Sequence, residues 1–427
     1  MPEVDHDQKP GYTILAAMTT LKVMGLEKEF SEGRDWILNN SFENRLATTK
    51  QYLIVDWPIN AYIGSLMSLY ALTGEAVYRE KAVAVEKILE PAFDNQTGFL
   101  HLELHPANKI AKTKIYNDEE DENGEAINVK TGKWSQTEVV DAEHGVFFFN
   151  DLIQSYIMQS ESGNPNNKEA LRIFCDAIQA MINIGMFQDI SLKKNEYDAL
   201  DTAKDTFNIT FFSRYYHKER RIETTSMTSP ACIFGSVLAL GSKELEKVHG
   251  TSAQSALFWS LAIKLTATCR LAAVSTETGL LPQSFMLTTT STGREVVAGK
   301  DPFQSRYFLD SNYVQSLFVL WRHTKSEMYR QYAWEFANAI QKHCHVQANE
   351  SDGGNGGYTD IEDVNVVPTH YLIDYQSPQF LSATLKYLYL IFEDDDVLPL
   401  DKWVFTDAGQ PLPICGRHER YPVSACS

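Results

Sequence analysis

The sequence is built from stretches of helical periodicity that come in pairs, each pair joined by a very short turn. Tyr62–Tyr70 and Val77–Leu89 place apolar residues three and four apart, and Thr73-Gly74 connects them. The pattern returns in Val146–Gln159 with Glu169–Met186, in Cys232–Leu240 with Ala253–Val274, and in Val314–His323 with Glu327–Cys344. A last helix is expected over about Phe380–Phe392. A short turn between two amphipathic helices makes them antiparallel. A chain that repeats this unit closes into a ring of alternating inner and outer helices. The fold expected is therefore all-α, an α/α barrel. Strand signals are weak and confined to connectors such as Gly98–Glu103 and Leu287–Arg294. No Pro-, Ser- or Gly-rich linker divides the 427 residues, so one domain over 1–427 is expected.

Composition narrows the function. The formal charge of −18 argues against a nucleic-acid groove, which needs clustered Lys and Arg. The acid run Asp118–Glu122, flanked by Asn117, Asn123 and Gly124, lacks the spacing of an EF-hand and reads as a solvated loop. The first residues, Met1 to Asp7, are polar and show no signal-peptide core. No apolar run approaches the roughly 20 residues that cross a bilayer. No membrane span and a cytoplasmic location are expected. Cys175, Cys232, Cys269, Cys344, Cys415 and Cys426 form no CxxC pair and no zinc spacing, so most are expected to be free buried thiols. The glycosylation sequons at Asn39, Asn95, Asn208 and Asn349 are then chance occurrences.

Six segments in order carry a family resemblance. They are Val23–Phe30 (VMGLEKEF), Gly64–Gly74 (GSLMSLYALTG) followed by Pro91–Asp94, Thr278-Gly279-Leu280, Tyr329–Cys344, and Thr384–Phe392 (TLKYLYLIF). Together they resemble the class I α-1,2-mannosidases of glycoside hydrolase family 47 over nearly the whole chain. The resemblance implies an (α/α)7 barrel, inverting hydrolysis with calcium, and a structural disulfide at the positions of Cys232 and Cys269. In a cytosolic chain those two are free thiols instead.

Inverting chemistry needs one carboxylic acid to protonate the leaving oxygen and one carboxylate to activate water. By the resemblance, Glu143 of Ala142-Glu143-His144-Gly145 stands at the general-acid position, and Asp205 keeps the acid of a second segment in which Ile209 replaces a Glu. The base position holds Asn312, with Asp310 in place of an Arg and Gln315 in place of a second Glu. Gln283, Ser377 and Ala383 replace further Glu residues, and Gln379 replaces a Phe. The family's calcium-binding segment reads Thr406-Asp407-Ala408-Gly409-Gln410-Pro411. An amide cannot accept a proton from water at neutral pH, and calcium wants six to eight hard oxygens, several of them anionic. No metal and no cofactor are expected.

The expected catalytic residues are thus Glu143 and Asp205, the survivors. The expected pocket is His144, Phe147, Ile209, Gln283, Asn312, Gln315, Gln379 and Ala383, which suits a hydrophobic small molecule better than a mannose ring. The function expected is a non-hydrolytic, metal-independent step such as cyclisation, isomerisation, dehydration or a pericyclic reaction, in a setting of natural-product biosynthesis. The alternatives are a glycan-binding pseudoglycosidase and a residual α-1,2-mannosidase with Asp310 or Asp407 as a displaced base.

Overall fold

The computed structural model describes residues 11–425 apart from 56–58, 95–99, 102, 113–126, 129–132, 135–138, 141, 164–165, 194–205, 217–218, 224–225, 290–293, 348–355, 370–371 and 374. Its helices are α1 (Tyr12–Val23), α2 (Glu27–Asn39), α3 (Phe42–Ala47), α4 (Ser65–Thr73), α5 (Ala76–Leu89), α6 (Ala142–Met158), α7 (Asn166–Asn183), α8 (Phe234–His249), α9 (Ala253–Val274), α10 (Asn312–Thr324), α11 (Glu327–His343) and α12 (Leu385–Phe392).

Burial separates an inner from an outer layer. Every residue of α10 from Asn312 to Trp321 is buried, as is every residue of α8 from Phe234 to Ser242. The outer helices bury one stripe at helical spacing, such as Tyr78, Ala82, Val85 and Leu89 of α5, or Tyr329, Ala333, Phe336 and Ile340 of α11. Inner helices α1, α4, α6, α8, α10 and α12 follow one another around the barrel, with α12 returning to α1. A C-terminal hairpin, Trp403–Phe405 paired with Pro411–Pro413, lies against α4 and α6. Gly74, at φ 78°, ends α4 in the left-handed conformation and returns its N–H to Tyr70 O, which makes the sharp turn into α5.

Two inner helices open with a π-helical turn, Ile59–Gly64 before α4 and Phe380–Thr384 before α12. The extra residue in each turn shifts the side chains at one end of the barrel, a distortion frequent at functional sites.

The helix pairs expected from periodicity are present, with Ala253–Val274 found at its expected bounds. The segment from Cys232 begins instead as a 3-10 turn, Ser229–Ile233, and becomes α-helical at Phe234. The connector at Leu287–Arg294 belongs to a hairpin of Ser284–Thr289 with Arg294–Ala298. Of the connector at Gly98–Glu103, Glu103 opens a short strand to His105, while residues 98, 99 and 102 fall outside the described residues, as does the acid run Asp118–Glu122. One further expectation fails on composition: Ala253–Val274 is long and apolar enough to cross a bilayer. Most of it is buried inside the fold, and Thr268 Oγ1 on this helix donates to Thr210 O at 2.7 Å. These are the features of a core helix.

Candidate functional site

Because each inner helix is followed by an outer helix running back, the inner helices are parallel and their N-termini gather at one end of the barrel. Three of these N-termini bring together an amide and hydroxyl network. Asn312 opens α10, and its Nδ2 donates to Ser229 Oγ at 2.9 Å on the turn before α8. Ser229 Oγ in turn donates to Asp310 Oδ2 at 3.1 Å, and the Asn312 N–H donates to Asp310 Oδ1 at 3.3 Å. One turn further into α10, Gln315 Nε2 donates to Asn150 Oδ1 of α6 at 3.0 Å and to Ser236 Oγ of α8 at 3.1 Å. Asn150, Ser236, Asn312 and Gln315 are all buried. They bond one another in a layer of amides and hydroxyls, although Asn150 Nδ2 and Gln315 Oε1 are left without a partner.

Asp310 is the acid that this network serves. Burial raises its carboxyl to about 6, against the hydrogen bonds from Ser229 and Asn312, which favour the ionised form. Asp310 as a residue is partly exposed. The residue before it, Leu309, is fully buried with φ 54°. A left-handed leucine costs on the order of 1–2 kcal/mol, and Thr384 Oγ1 anchors it by donating to Leu309 O at 2.8 Å. Strain of this kind persists only where the surroundings enforce it.

A second polar layer lies where the C-terminal turn meets the barrel. Lys386 of α12 is fully buried, and its Nζ donates to Thr19 Oγ1 and to Gly409 O, both at 2.7 Å. Thr19 Oγ1 donates to Gln410 Oε1 at 2.6 Å, and Gln410 Nε2 donates to Ala16 O at 3.2 Å. Burial holds the amine well below the ordinary lysine range. Gly409, at φ +70°, lets the turn press on α12, since a Cβ there would stand 2.6 Å from Ala383 Cβ.

Among the described residues, those at the turn matching the family's calcium segment do not fit calcium. At the turn matching the family's calcium segment, Thr406 Oγ1 accepts from the Gln410 N–H at 3.2 Å, and Asp407 Oδ1 accepts from the Ala408 N–H at 2.7 Å. Its neighbours are Ala383 and the cationic or neutral amine of Lys386 rather than further carboxylates. Among the described residues no group of three His, Cys, Asp or Glu could hold a metal.

The structure brings together Asn312 and Gln315 of the expected pocket, with Gln283 close by: Ser229 N–H donates to Gln283 O at 2.8 Å. Phe147 is partly buried one turn before Asn150 on the same face of α6. Gln379 is partly buried at the start of the π turn before α12. Ala383 is fully buried against Gly409 and belongs to the second layer instead. Ile209 is a correction. It sits in the strand Thr206–Phe212, paired with Ile190 of Phe187–Lys193, and is fully buried in the core. The two-residue alternation of Phe207, Ile209 and Phe211 in Thr206–Phe212 was the signal for this hairpin; the two strands pair antiparallel on the outer helix α9, with Thr210 N–H donating to Thr268 Oγ1. Glu143 and His144 occupy the first turn of α6, their side chains outside the described residues, and Asp205 lies outside them altogether. An apolar groove between α11 and α12, lined by Trp334, Tyr358, Phe380, Leu388 and Phe392, opens on the outer surface and contains no predicted site residue.

The bridge that the resemblance implies is present, and two of the cysteines are the free buried thiols expected. Cys232 and Cys269 form a disulfide, Cys415 is also disulfide-bonded, and Cys175 and Cys344 are free and buried.

The sequence matches the profile of glycosyl hydrolase family 47 over residues 3–126 and 106–414. It is 31% identical over 455 residues to mannosyl-oligosaccharide alpha-1,2-mannosidase IA of Spodoptera frugiperda, covering 96% of this chain and 61% of that protein. It is 29% identical to the human mannosyl-oligosaccharide 1,2-alpha-mannosidase IB over 97% of this chain and 64% of that protein. The chain thus spans about three fifths of the length of these relatives. Among solved structures, an alpha-1,2-mannosidase from Trichoderma reesei superposes with a TM-score of 0.74 at 17% identity, covering 95% of this chain and 90% of that one. At that identity the likeness speaks for the fold alone, and that fold is the expected barrel of the (α/α)7 mannosidase type. These relatives overturn the cytoplasmic expectation: such mannosidases are lumenal or secretory enzymes, and the Cys232–Cys269 bridge needs an oxidising compartment. The chain belongs to glycosyl hydrolase family 47.

Proposed function

We propose that this family 47 barrel does not run calcium-dependent hydrolysis and instead catalyses a metal-independent, non-hydrolytic proton-transfer step on a hydrophobic small molecule. The observation that carries this reading is the hydrogen bonding of Asn312. Its Nδ2 is a committed donor to Ser229 Oγ, at the position where the resemblance implies a water-activating carboxylate. Gln315 is held in the same way by Asn150 and Ser236, so neither amide can act as a base for water, and Asp310 is the carboxylate bonded to this network.

Apolar character supports the choice of ligand. Phe147 stands one turn before Asn150 on α6 and is partly buried against the core. A site of aromatic walls with a few fixed polar groups is the usual make-up of a small-molecule pocket.

The test has two arms. With α-1,2-mannobiose and excess calcium, no mannose release above the buffer rate is expected, and sustained release overturns the reading. In a thermal-shift panel, apolar polycyclic compounds are expected to raise the melting temperature and methyl α-mannoside to leave it unchanged. Stabilisation by the mannoside alone overturns the ligand class.

A further inference from the structure

A second acid, absent from the sequence reading, lies on the segment paired with the stretch that leads to Asp310. Tyr307 and Ile361 exchange both backbone hydrogen bonds, each 3.0 Å, which carries Asp360 alongside the stretch that leads into α10. Asp360 is 1% exposed, and its Oδ1 has no hydrogen-bond partner. A buried carboxylate oxygen without a donor is costly unless the group holds a proton. Burial and the charge of Asp310 raise the Asp360 carboxyl to about 7, while Arg306 pulls it down. The other groups that interact with it are the buried Cys344 thiol and the phenols of Tyr307 and Tyr375, each raised in part by Asp360. Asp310 faces Ser229, Asn312 and Tyr307, whose hydroxyl donates to the Asp310 carbonyl at 3.4 Å.

We propose that Asp310 and Asp360 form the proton-exchanging pair of this site, Asp310 meeting the ligand and Asp360 acting as the positioning acid behind it. The proposal deepens the non-hydrolytic reading and rests on it for the reaction, though not for the pairing itself. The Asp310 charge disfavours ionisation of the buried Asp360, so near neutrality Asp310 ionises first. Asp310, the more accessible and more acidic member, is then the carboxylate. It accepts a proton from an acidic O–H or C–H of the ligand: that bond breaks, an Oδ–H bond forms, and the electron pair stays on the ligand. The Ser229 hydroxyl and the Asn312 N–H hold the two oxygens in place during the transfer. The same proton then returns to a different ligand atom as the Oδ–H bond breaks. The result is an isomerisation that consumes neither water nor any co-reactant.

The test is a carbon-13 NMR titration of the full chain labelled at Asp Cγ, with Asp310→Asn and Asp360→Asn identifying the two signals. Wild type is expected to show two midpoints well above the ordinary aspartate range. In Asp310→Asn the Asp360 midpoint is expected to fall from about 7 towards that range. A merely structural role for Asp310 does not move the midpoint, and an unmoved midpoint with a melting curve like wild type overturns the pair. Should Asp310→Asn fail to fold, the milder Ser229→Ala gives the check: loss of its hydrogen bond raises the Asp310 midpoint, and no rise overturns the assignment. The mannobiose assay separates the two claims. Mannose release by wild type with coupled midpoints removes the non-hydrolytic reading and leaves the pair, whereas uncoupled midpoints without release remove the pair alone.

Discussion

Asn312 Nδ2 and Asp310 Oδ2 meet on one hydroxyl: Ser229 Oγ accepts from the amide at 2.9 Å and donates to the carboxylate at 3.1 Å. The hydroxyl has one proton, so this arrangement works only while residue 312 is a donor. Asn312→Asp puts a second carboxylate on the same oxygen, in a buried position beside Asp310. A buried uncompensated charge costs about 3–5 kcal/mol, so the variant is expected to lose on the order of 3 kcal/mol at pH 8. The new acid has a raised folded-state pKa, so its cost shrinks on acidification and the variant recovers towards wild type at pH 5. Chemical denaturation at the two pH values checks this. Mannose release is expected to remain absent.

Asp360 gives a second pH signature, of opposite outcome. Its folded carboxyl is raised to about 7 from an ordinary 3.8. The stability it contributes is full below about 3.8, declines as pH rises, and is lost once pH passes about 7. Asp360→Asn removes this dependence. The variant is expected to match wild type near pH 4 and to exceed it by roughly 2 kcal/mol at pH 8. Urea unfolding across that range measures the gap, and a gap that does not widen with pH sinks the account.

The barrel was legible because helical spacing is local. The stripe on Val77–Leu89 and the apolar run of Ala253–Val274 state their own conformations, and the structure keeps both almost unchanged. The hairpin Phe187–Lys193 with Thr206–Phe212 is hard to read because the family alignment of Asp205–Ile209 masks the two-residue alternation of Phe207, Ile209 and Phe211 in the second strand. Its consequence was Ile209, expected in the pocket and found in the core. The neutral layer was half legible. Substitution showed that Asn312 and Gln315 are amides, but their partners Ser229, Ser236 and Asn150 lie 83, 79 and 165 residues away. Asp360 gave no signal at all. It sits just after a glycine-rich stretch, and only the bridge between Tyr307 and Ile361 brings its segment to the one that carries Asp310.

Gln315 tests whether the neutral layer is a network or a set of independent pairs. Its Nε2 serves both Asn150 and Ser236, and the Asn150 Nδ2 has no partner of its own. Gln315→Ala leaves the Asn150 carbonyl buried without a donor and opens a cavity. A loss of about 2–3 kcal/mol is expected. Asn150→Ala combined with Gln315→Ala should cost less than the sum of the single variants, since the second change removes the orphaned group. Additive losses in a double-mutant cycle would show that the two side chains do not act together.

The Cys232–Cys269 bridge joins the turn before α8 to α9 across 37 residues. Ser316 Oγ on α10 also donates to Cys232 O at 2.6 Å, and Ser236 N–H donates to Ser316 Oγ at 2.8 Å. The disulfide therefore fixes the turn that presents Ser229 to Asp310 and Asn312. Loop-closure entropy for a ring of that size is worth about 4 kcal/mol, so Cys232→Ala with Cys269→Ala is expected to lower stability by about that amount. The site should loosen as well. With Ser229 less firmly placed, the Asp310 carboxylate loses part of its hydrogen-bond support, and its NMR midpoint is expected to rise above about 6. A destabilised variant whose Asp310 midpoint stays at the wild-type value would show that the bridge supports the core alone.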